Sequence, residues 1–192
     1  MAVSSVKRRA TYEDLRGVPD YMVAEIIDGD LFATPRPAAP HALAASMLGA
    51  DLIEHFGRSP AGGRGAGGWW ILFEPELHLG GDVIVPDFAG WRRTRMPIVP
   101  DTAALDLPPD WACEVVSPST GALDRGRKMQ VYARERVGHL WIVDPSLRTL
   151  EVYRLEEARW LVASTHAGAG DVRAEPFDAV ALDLRHWWRE PA

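Results

Sequence analysis

Apolar positions along the chain change their period several times, and each change marks the border of a predicted element. Residues 21–27 and 31–33 are extended apolar runs joined by Asp28-Gly29-Asp30, and an Asp-Gly pair between such runs predicts a tight β-hairpin. Over 39–56 the pattern shifts: Leu43, Met47, Leu48, Leu52, Ile53 and Phe56 return at three- and four-residue steps, which puts one apolar face on a first long helix. Strands are predicted at 69–73, 76–79 and 83–91, and at 111–117 after a proline-rich connection over about 94–109. Ser119 or Thr120 caps a second helix that runs to about Arg136 and ends at Gly138. Beyond it come a buried strand at 140–143, stopped by Asp144-Pro145, a hairpin of 149–154 with 159–165, and a last strand at 180–184. Residues 1–10 read as a flexible tail, and Thr11 with Asp14 opens a short helix to about Gly17. No repeat of fixed period and no interior linker divides 11–192. That stretch reads as a single α/β domain, α+β by a stricter definition, with a mixed sheet flanked by two main helices.

Composition narrows the function. With 47% hydrophobic and 25% charged residues, the chain can bury an ordinary core. No apolar run approaches the ~20 residues of a bilayer span, so a membrane protein of that kind is excluded. Lys7-Arg8-Arg9 leads into Thr11-Tyr12-Glu13-Asp14 and not into a signal peptide's apolar stretch. The single cysteine, Cys113, can form neither an internal disulfide nor a thiolate zinc cage, and the expectation is a soluble, cytoplasmic protein. A net charge of −6 counts against broad phosphate binding. Basic residues nonetheless cluster at Arg92, Arg93 and Arg95, and at Arg125, Arg127, Lys128, Arg134 and Arg136, so an acidic protein could own a basic groove; the alternative is scattered, solvated charge. The glycine-rich stretch 60–68 lacks the Gly-Lys-Ser/Thr ending of a phosphate loop.

Two carboxylates carry the candidate chemistry. Glu114 stands inside the apolar run Trp111-Ala112-Cys113-Glu114-Val115-Val116, and its same-face neighbours Ala112 and Val116 are apolar. A buried carboxylate needs a partner or a metal ion; the alternative is that the strand turns Glu114 to solvent. Asp87 follows Pro86, which removes a backbone donor and marks a strand edge or bulge where a side chain can be aimed at a site. Two carboxylates on neighbouring strands can share Mg²⁺ or Mn²⁺, which leaves places for a phosphate oxygen and an attacking water. On the second helix Asp124, Lys128 and Tyr132 recur at four-residue steps on one face. Lys128 could stabilise charge on a phosphate, or simply pair with Asp124 on the surface.

Taken in order, five stretches resemble the Uma-type family of restriction endonucleases, a branch of the PD-(D/E)-x-K nuclease superfamily. They are Glu25-Ile26-Ile27-Asp28-Gly29-Asp30-Leu31, then His41, Val85-Pro86-Asp87, the run Glu114 to Thr120 with Asp124 and Lys128, and Trp141-Ile142-Val143-Asp144-Pro145. The resemblance implies a restriction-endonuclease-like fold, Asp87 and Glu114 as metal ligands, and Glu25 as a further acid of the site. The superfamily's lysine position, two residues after the second acid, is Val116 here, and the resemblance points to Lys128 on the following helix instead.

Other residues read more plainly. His41 near a helix start reads as a capping or surface group, with metal or phosphate binding as the alternative. Cys113 is turned to the face opposite Glu114 and reads as a core thiol. Ser117 lacks a nucleophile elbow. The pairs Trp69-Trp70 and Trp187-Trp188 read as core or subunit interface before nucleic-acid stacking. The sequence therefore points to a divalent-metal-dependent endonuclease acting on DNA, with Glu25, Asp87, Glu114 and Lys128 as catalytic residues. A homodimer would supply two sites for two strands. The alternatives are a catalytically inactive protein of the same fold that binds nucleic acid or a protein partner, and an interaction module in which the acids stand far apart.

Overall fold

The computed structural model describes residues 8–58 and 67–188. Residues 1–7 of the tail predicted over 1–10 and most of the glycine-rich stretch fall outside them. Helix α1 (Tyr12–Arg16) is opened by Asp14 Oδ2, which accepts from the Thr11 backbone N–H at 2.8 Å and its hydroxyl at 2.7 Å. Strands β1 (Met22–Ile27) and β2 (Asp30–Pro35) form the expected hairpin. Asp28 and Gly29 turn it with φ of 54° and 83°, the two positive values that a two-residue turn of this hand requires.

Helix α2 (Ala39–Leu52) follows and runs into a wide turn, Ile53–Gly57. Next come β3 (Trp69–Phe73), β4 (Leu77–Leu79), β5 (Asp82–Ile84), β6 (Phe88–Arg92) and β7 (Trp111–Val115). The helical connection from β7 is α3 (Gly121–Leu123), a wide turn (Asp124–Lys128) and α4 (Met129–Arg134). It leads to β8 (His139–Asp144), the hairpin β9 (Thr149–Glu156) with β10 (Arg159–Ala167), and the short ribbon β11 (Asp171–Val172) with β12 (Leu182–Asp183). The strand predicted over 180–184 keeps only those two residues, because Leu184–Trp187 coils into a 3₁₀ turn.

One prediction needs correcting. Residues 83–91 are not a single strand. Val85-Pro86-Asp87 interrupts them, and the chain passes from one sheet to another there: β5 lies in a four-stranded sheet ordered β2-β1-β5-β4, and β6 in a six-stranded sheet ordered β10-β9-β8-β7-β6-β3. Pro86 has no N–H for a ladder, so pairing stops at this point and the side chains on either side turn toward the seam. The six-stranded sheet is mixed: β7 and β8 run parallel across the helical connection, and the other pairs are antiparallel.

Strand alternation divides the core. From β7, Trp111, Cys113 and Val115 enter a cluster beneath α2 with Trp69, Trp141, Phe177 and Trp187. Ala112, followed by Val116, enters a second cluster with Val131, Tyr132 and Ile142. Gly49 lets α2 approach the sheet, since a Cβ there would lie 2.8 Å from the Phe88 ring. Among the described residues, no helix is long and apolar enough to cross a membrane.

Candidate functional site

The break at Pro86 sits where the two sheets, the start of α2 and the helical connection meet, and a cleft of about 340 Å³ opens there. Its lining includes Glu25 from β1, His41 from α2, Asp87 from the strand break, Glu114 from β7, and Asp124 with Lys128 from the wide turn. The four residues singled out for catalysis, Glu25, Asp87, Glu114 and Lys128, are thus brought together from positions up to 103 residues apart in sequence.

Lys128 is the hub. It is only 2% exposed. Its Nζ lies 3.0 Å from Glu25 Oε1, 3.0 Å from Glu114, 3.2 Å from the Val85 carbonyl and 3.8 Å from Asp124 Oδ1. An ammonium has three donors, and Glu25, Glu114 and Val85 engage them. Burial opposes its charge, but Glu114 and Glu25 outweigh burial and hold its pKa well above the ordinary lysine value. The wide turn keeps Asp124, Lys128 and Tyr132 on one side of the helical segment, so the four-residue spacing predicted their common face.

Glu114 is 2% exposed, which settles its orientation: it points inward. The Tyr132 hydroxyl donates to Oε1 at 2.5 Å, beside the Lys128 contact. Burial pushes the Glu114 carboxyl well above the usual range; Lys128 opposes this, while Asp124, Asp87 and Glu25 reinforce it. Asp124 is raised for the same leading reason, against Lys128 and the Thr120 hydroxyl. Glu25 Oε1 also accepts from the Val85 N–H at 2.8 Å, so the hairpin acid clamps the segment just before Pro86.

Asp87 is placed differently. Its Oδ2 accepts from the Val115 N–H at 2.8 Å, which ties the strand break to the end of β7, and its Oδ1 faces His41 Nε2 at 3.2 Å. His41 is 9% exposed. It is therefore neither a surface group nor a helix cap, because the contact that buries it comes from a residue far along the chain. Burial opposes charging of its ring, yet Asp87 and the Val115 backbone outweigh burial and raise its pKa. His41, Asp124 and Tyr132 are the members of the site that the sequence had left without a firm role. For Tyr132 the helical spacing from Lys128 was the available signal.

The donor set fits a divalent cation. Four buried or half-buried carboxylates face one lysine and one histidine, and burial raises the pKa of two of them, a cost of ionisation that a cation would offset. Among the described residues, no group of three or more His, Cys, Asp or Glu side chains is arranged as a cage that could hold a metal ion. Mg²⁺ ordinarily needs no such cage, since it takes one or two carboxylates and keeps several waters.

Among the described residues, Lys128 is the one member of the two basic clusters that lines this cleft. Arg125 pairs with Glu151 at 2.6 Å, Arg127 with Asp30 at 3.0 Å, and Arg134 with Asp82 and Asp28, so the basic face of the second helix is tied to carboxylates of the sheets. Arg93 caps the Gly57 and Trp69 carbonyls and covers the Trp70 ring, and Arg95 pairs with Asp110. At the rim of the cleft, Arg36 is exposed and lies 3.7 Å from Glu74.

A family model described as "Uma2: Putative restriction endonuclease" matches residues 8–185. No curated protein matches the chain. Among solved structures, the crystal structure of "a putative nuclease belonging to DUF820" from Anabaena variabilis is similar over 93% of this chain and 97% of that one, with a TM-score of 0.73 at 18% identity. At that identity the likeness is one of fold, and it places the chain in the restriction-endonuclease-like class.

Proposed function

Because the chain belongs to the Uma2 family of restriction-endonuclease-type proteins, we propose that it is a divalent-metal-dependent endonuclease hydrolysing phosphodiester bonds in DNA. The observation that carries this reading is the convergence of Glu25, Asp87, Glu114 and Lys128 on one cleft at the strand break. Asp87 and Glu114 would hold Mg²⁺ or Mn²⁺. Bound there, the ion would supply Lewis-acid activation of water and of the phosphate.

The chain's own residues do the positioning. The Val115 N–H fixes one oxygen of Asp87, and the Tyr132 hydroxyl and Lys128 fix Glu114, so both carboxylates are held before any substrate arrives. Glu25 shares Lys128 with Glu114 and balances its charge. Lys128, which lines the cleft, adds positive potential where a phosphate would gain charge.

One observation favours a second reading, a nuclease-fold protein that binds without cutting. The three donors of Lys128 are already engaged, so it reaches a phosphate only by releasing a partner. Plasmid cleavage in Mg²⁺ and in Mn²⁺ separates the two. The catalytic reading expects nicking or linearisation that falls about 100-fold or more in Asp87→Asn and Glu114→Gln, with both variants folded by circular dichroism. Wild-type protein that binds DNA and divalent ions but cleaves neither DNA nor RNA would establish the second reading.

A further inference from the structure

The acids explain how a hard cation could be held, but not why a histidine is buried against one of them. We infer that His41 Nε2 is a direct metal ligand beside Asp87, which biases the site toward imidazole-accepting transition ions over Mg²⁺. The inference rests on the metal-site reading above and not on turnover.

Geometry carries it. Two adjacent ligands of one six-coordinate ion, each at about 2.1 Å and at a right angle, lie about 3.0 Å apart. His41 Nε2 and Asp87 Oδ1 are 3.2 Å apart, at the wall of the cleft. Asp87 is locked from its other oxygen by the Val115 N–H, so Oδ1 cannot swing away from the ring without breaking that bond. The ring comes from the first turn of α2 and is held close, because Gly49 brings that helix onto β6 next to Asp87. A buried histidine with a purely structural role is satisfied at both nitrogens. Here Nδ1 is buried without a hydrogen-bond partner of ordinary geometry among the described residues, and the close polar contact of the ring is the one Nε2 makes with Asp87 Oδ1. What accounts for the ring's position is the space it shares with Asp87.

An imidazole nitrogen adds little for Mg²⁺, which prefers oxygen, and much for Co²⁺ or Ni²⁺, while Mn²⁺ accepts both. The test uses the full chain without nucleic acid. Calorimetry with Mg²⁺ and Co²⁺ should show Co²⁺ bound about 10-fold or more tightly than Mg²⁺, and His41→Gln should remove most of that preference while Mg²⁺ affinity changes by less than about threefold. Pulsed electron paramagnetic resonance of bound Mn²⁺ should show imidazole-nitrogen modulation that disappears in His41→Gln and persists in His55→Gln. Retained Mg²⁺ binding in His41→Gln shows that the variant is folded; if it is lost, His41→Asn and the wild-type spectrum decide the matter. Absence of nitrogen modulation in the wild type, or an equal partial weakening of both ions in a His41→Gln variant that still binds Mg²⁺, overturns the inference. Cleavage without nitrogen modulation would sink this proposal and leave the nuclease reading standing; modulation without cleavage would do the reverse.

Discussion

The two faces of β7 are built from the same five residues of backbone, yet they solve opposite problems. Trp111, Cys113 and Val115 point into a dry cluster of rings, where Trp111 lies 5.3 Å from Trp141 and 5.0 Å from Phe177 between ring centres. Ala112 and Glu114 point the other way, and there a buried carboxylate is tied to a buried lysine and a buried tyrosine. The first face gains stability from apolar area and tight packing, which are indifferent to pH. The second gives stability up, because desolvating charges is repaid only in part by their attraction. Cys113 and Glu114 sit next to each other and mark the divide: burial raises the pKa of both, but the thiol simply stays neutral, whereas the carboxylate has a counter-ion and a cleft. A protein keeps an unfavourable face of this kind where it binds something.

The contrast can be broken most strongly on the dry side. Trp111→Ala should cost about 5 kcal/mol, the upper range for truncating a buried ring, read as a lower midpoint in urea. Its indole N–H has no partner among the described residues, so the loss is one of packing alone. No polar second-site change should restore it. On the charged side, Lys128→Met should cost about 3 kcal/mol. The cost is smaller because Glu114, already inclined to hold a proton, can neutralise itself. Adding Glu114→Gln to Lys128→Met should then recover about 1 kcal/mol relative to additive losses. Strict additivity in the double-mutant cycle would show that the two side chains do not act as a unit.

How much of this contrast the sequence carries depends on the range of the interactions. Alternation along 111–116 predicted both faces of β7, because a strand's period is local, and the inward turn of Glu114 follows from its apolar neighbours. The first hairpin was equally legible, since Asp28-Gly29 dictates its own turn. The strand break at Pro86 was half legible: the proline marked an irregularity, but the apolar run from Val83 to Trp91 hid the change of sheet. His41 was misread because nothing within a helical turn of it explains its burial; Asp87 does, from another element. The partners of the basic clusters were hidden for a related reason. Arg125, Arg127 and Arg134 look free along the chain, and their partners Glu151, Asp30 and Asp82 arrive only through the fold.

The smallest effect to be measured is also the one that separates the faces by sign. The pKa of Glu114, Asp124 and His41 is raised in the folded state. A raised group binds more protons folded than unfolded, so the stability it contributes is fully present below its unfolded value and is lost as pH rises through its folded one. The unfolded values are 4.5 for Glu114 and 3.8 for Asp124, so without divalent ions the stability they contribute should decline as pH is raised from about 4 toward neutrality, His41 extending the decline from 6.5 upward. Each extra proton held contributes a slope of at most about 1.4 kcal/mol per pH unit. Lys128 does not enter this window, because its unfolded value of 10.5 puts its own loss in the alkaline range. The half-buried Asp183, lowered to about 2 by the Arg185 side chain, has the opposite sign and weakens the fold only as pH falls below about 4. His139 and His166, both lowered by burial, act in the opposite sense within this range, so the cleft is read by difference: from pH 4 to pH 8 the melting temperature of the wild type should fall relative to that of Glu114→Gln, and Mn²⁺ should flatten that fall by taking the place of the protons. Cys113→Ala, one residue away on the dry face, should leave the fall unchanged. A wild-type profile parallel to that of Glu114→Gln in metal-free protein would mean that Glu114 is ionised at no cost, and the two faces of β7 would not differ in the way their burial requires.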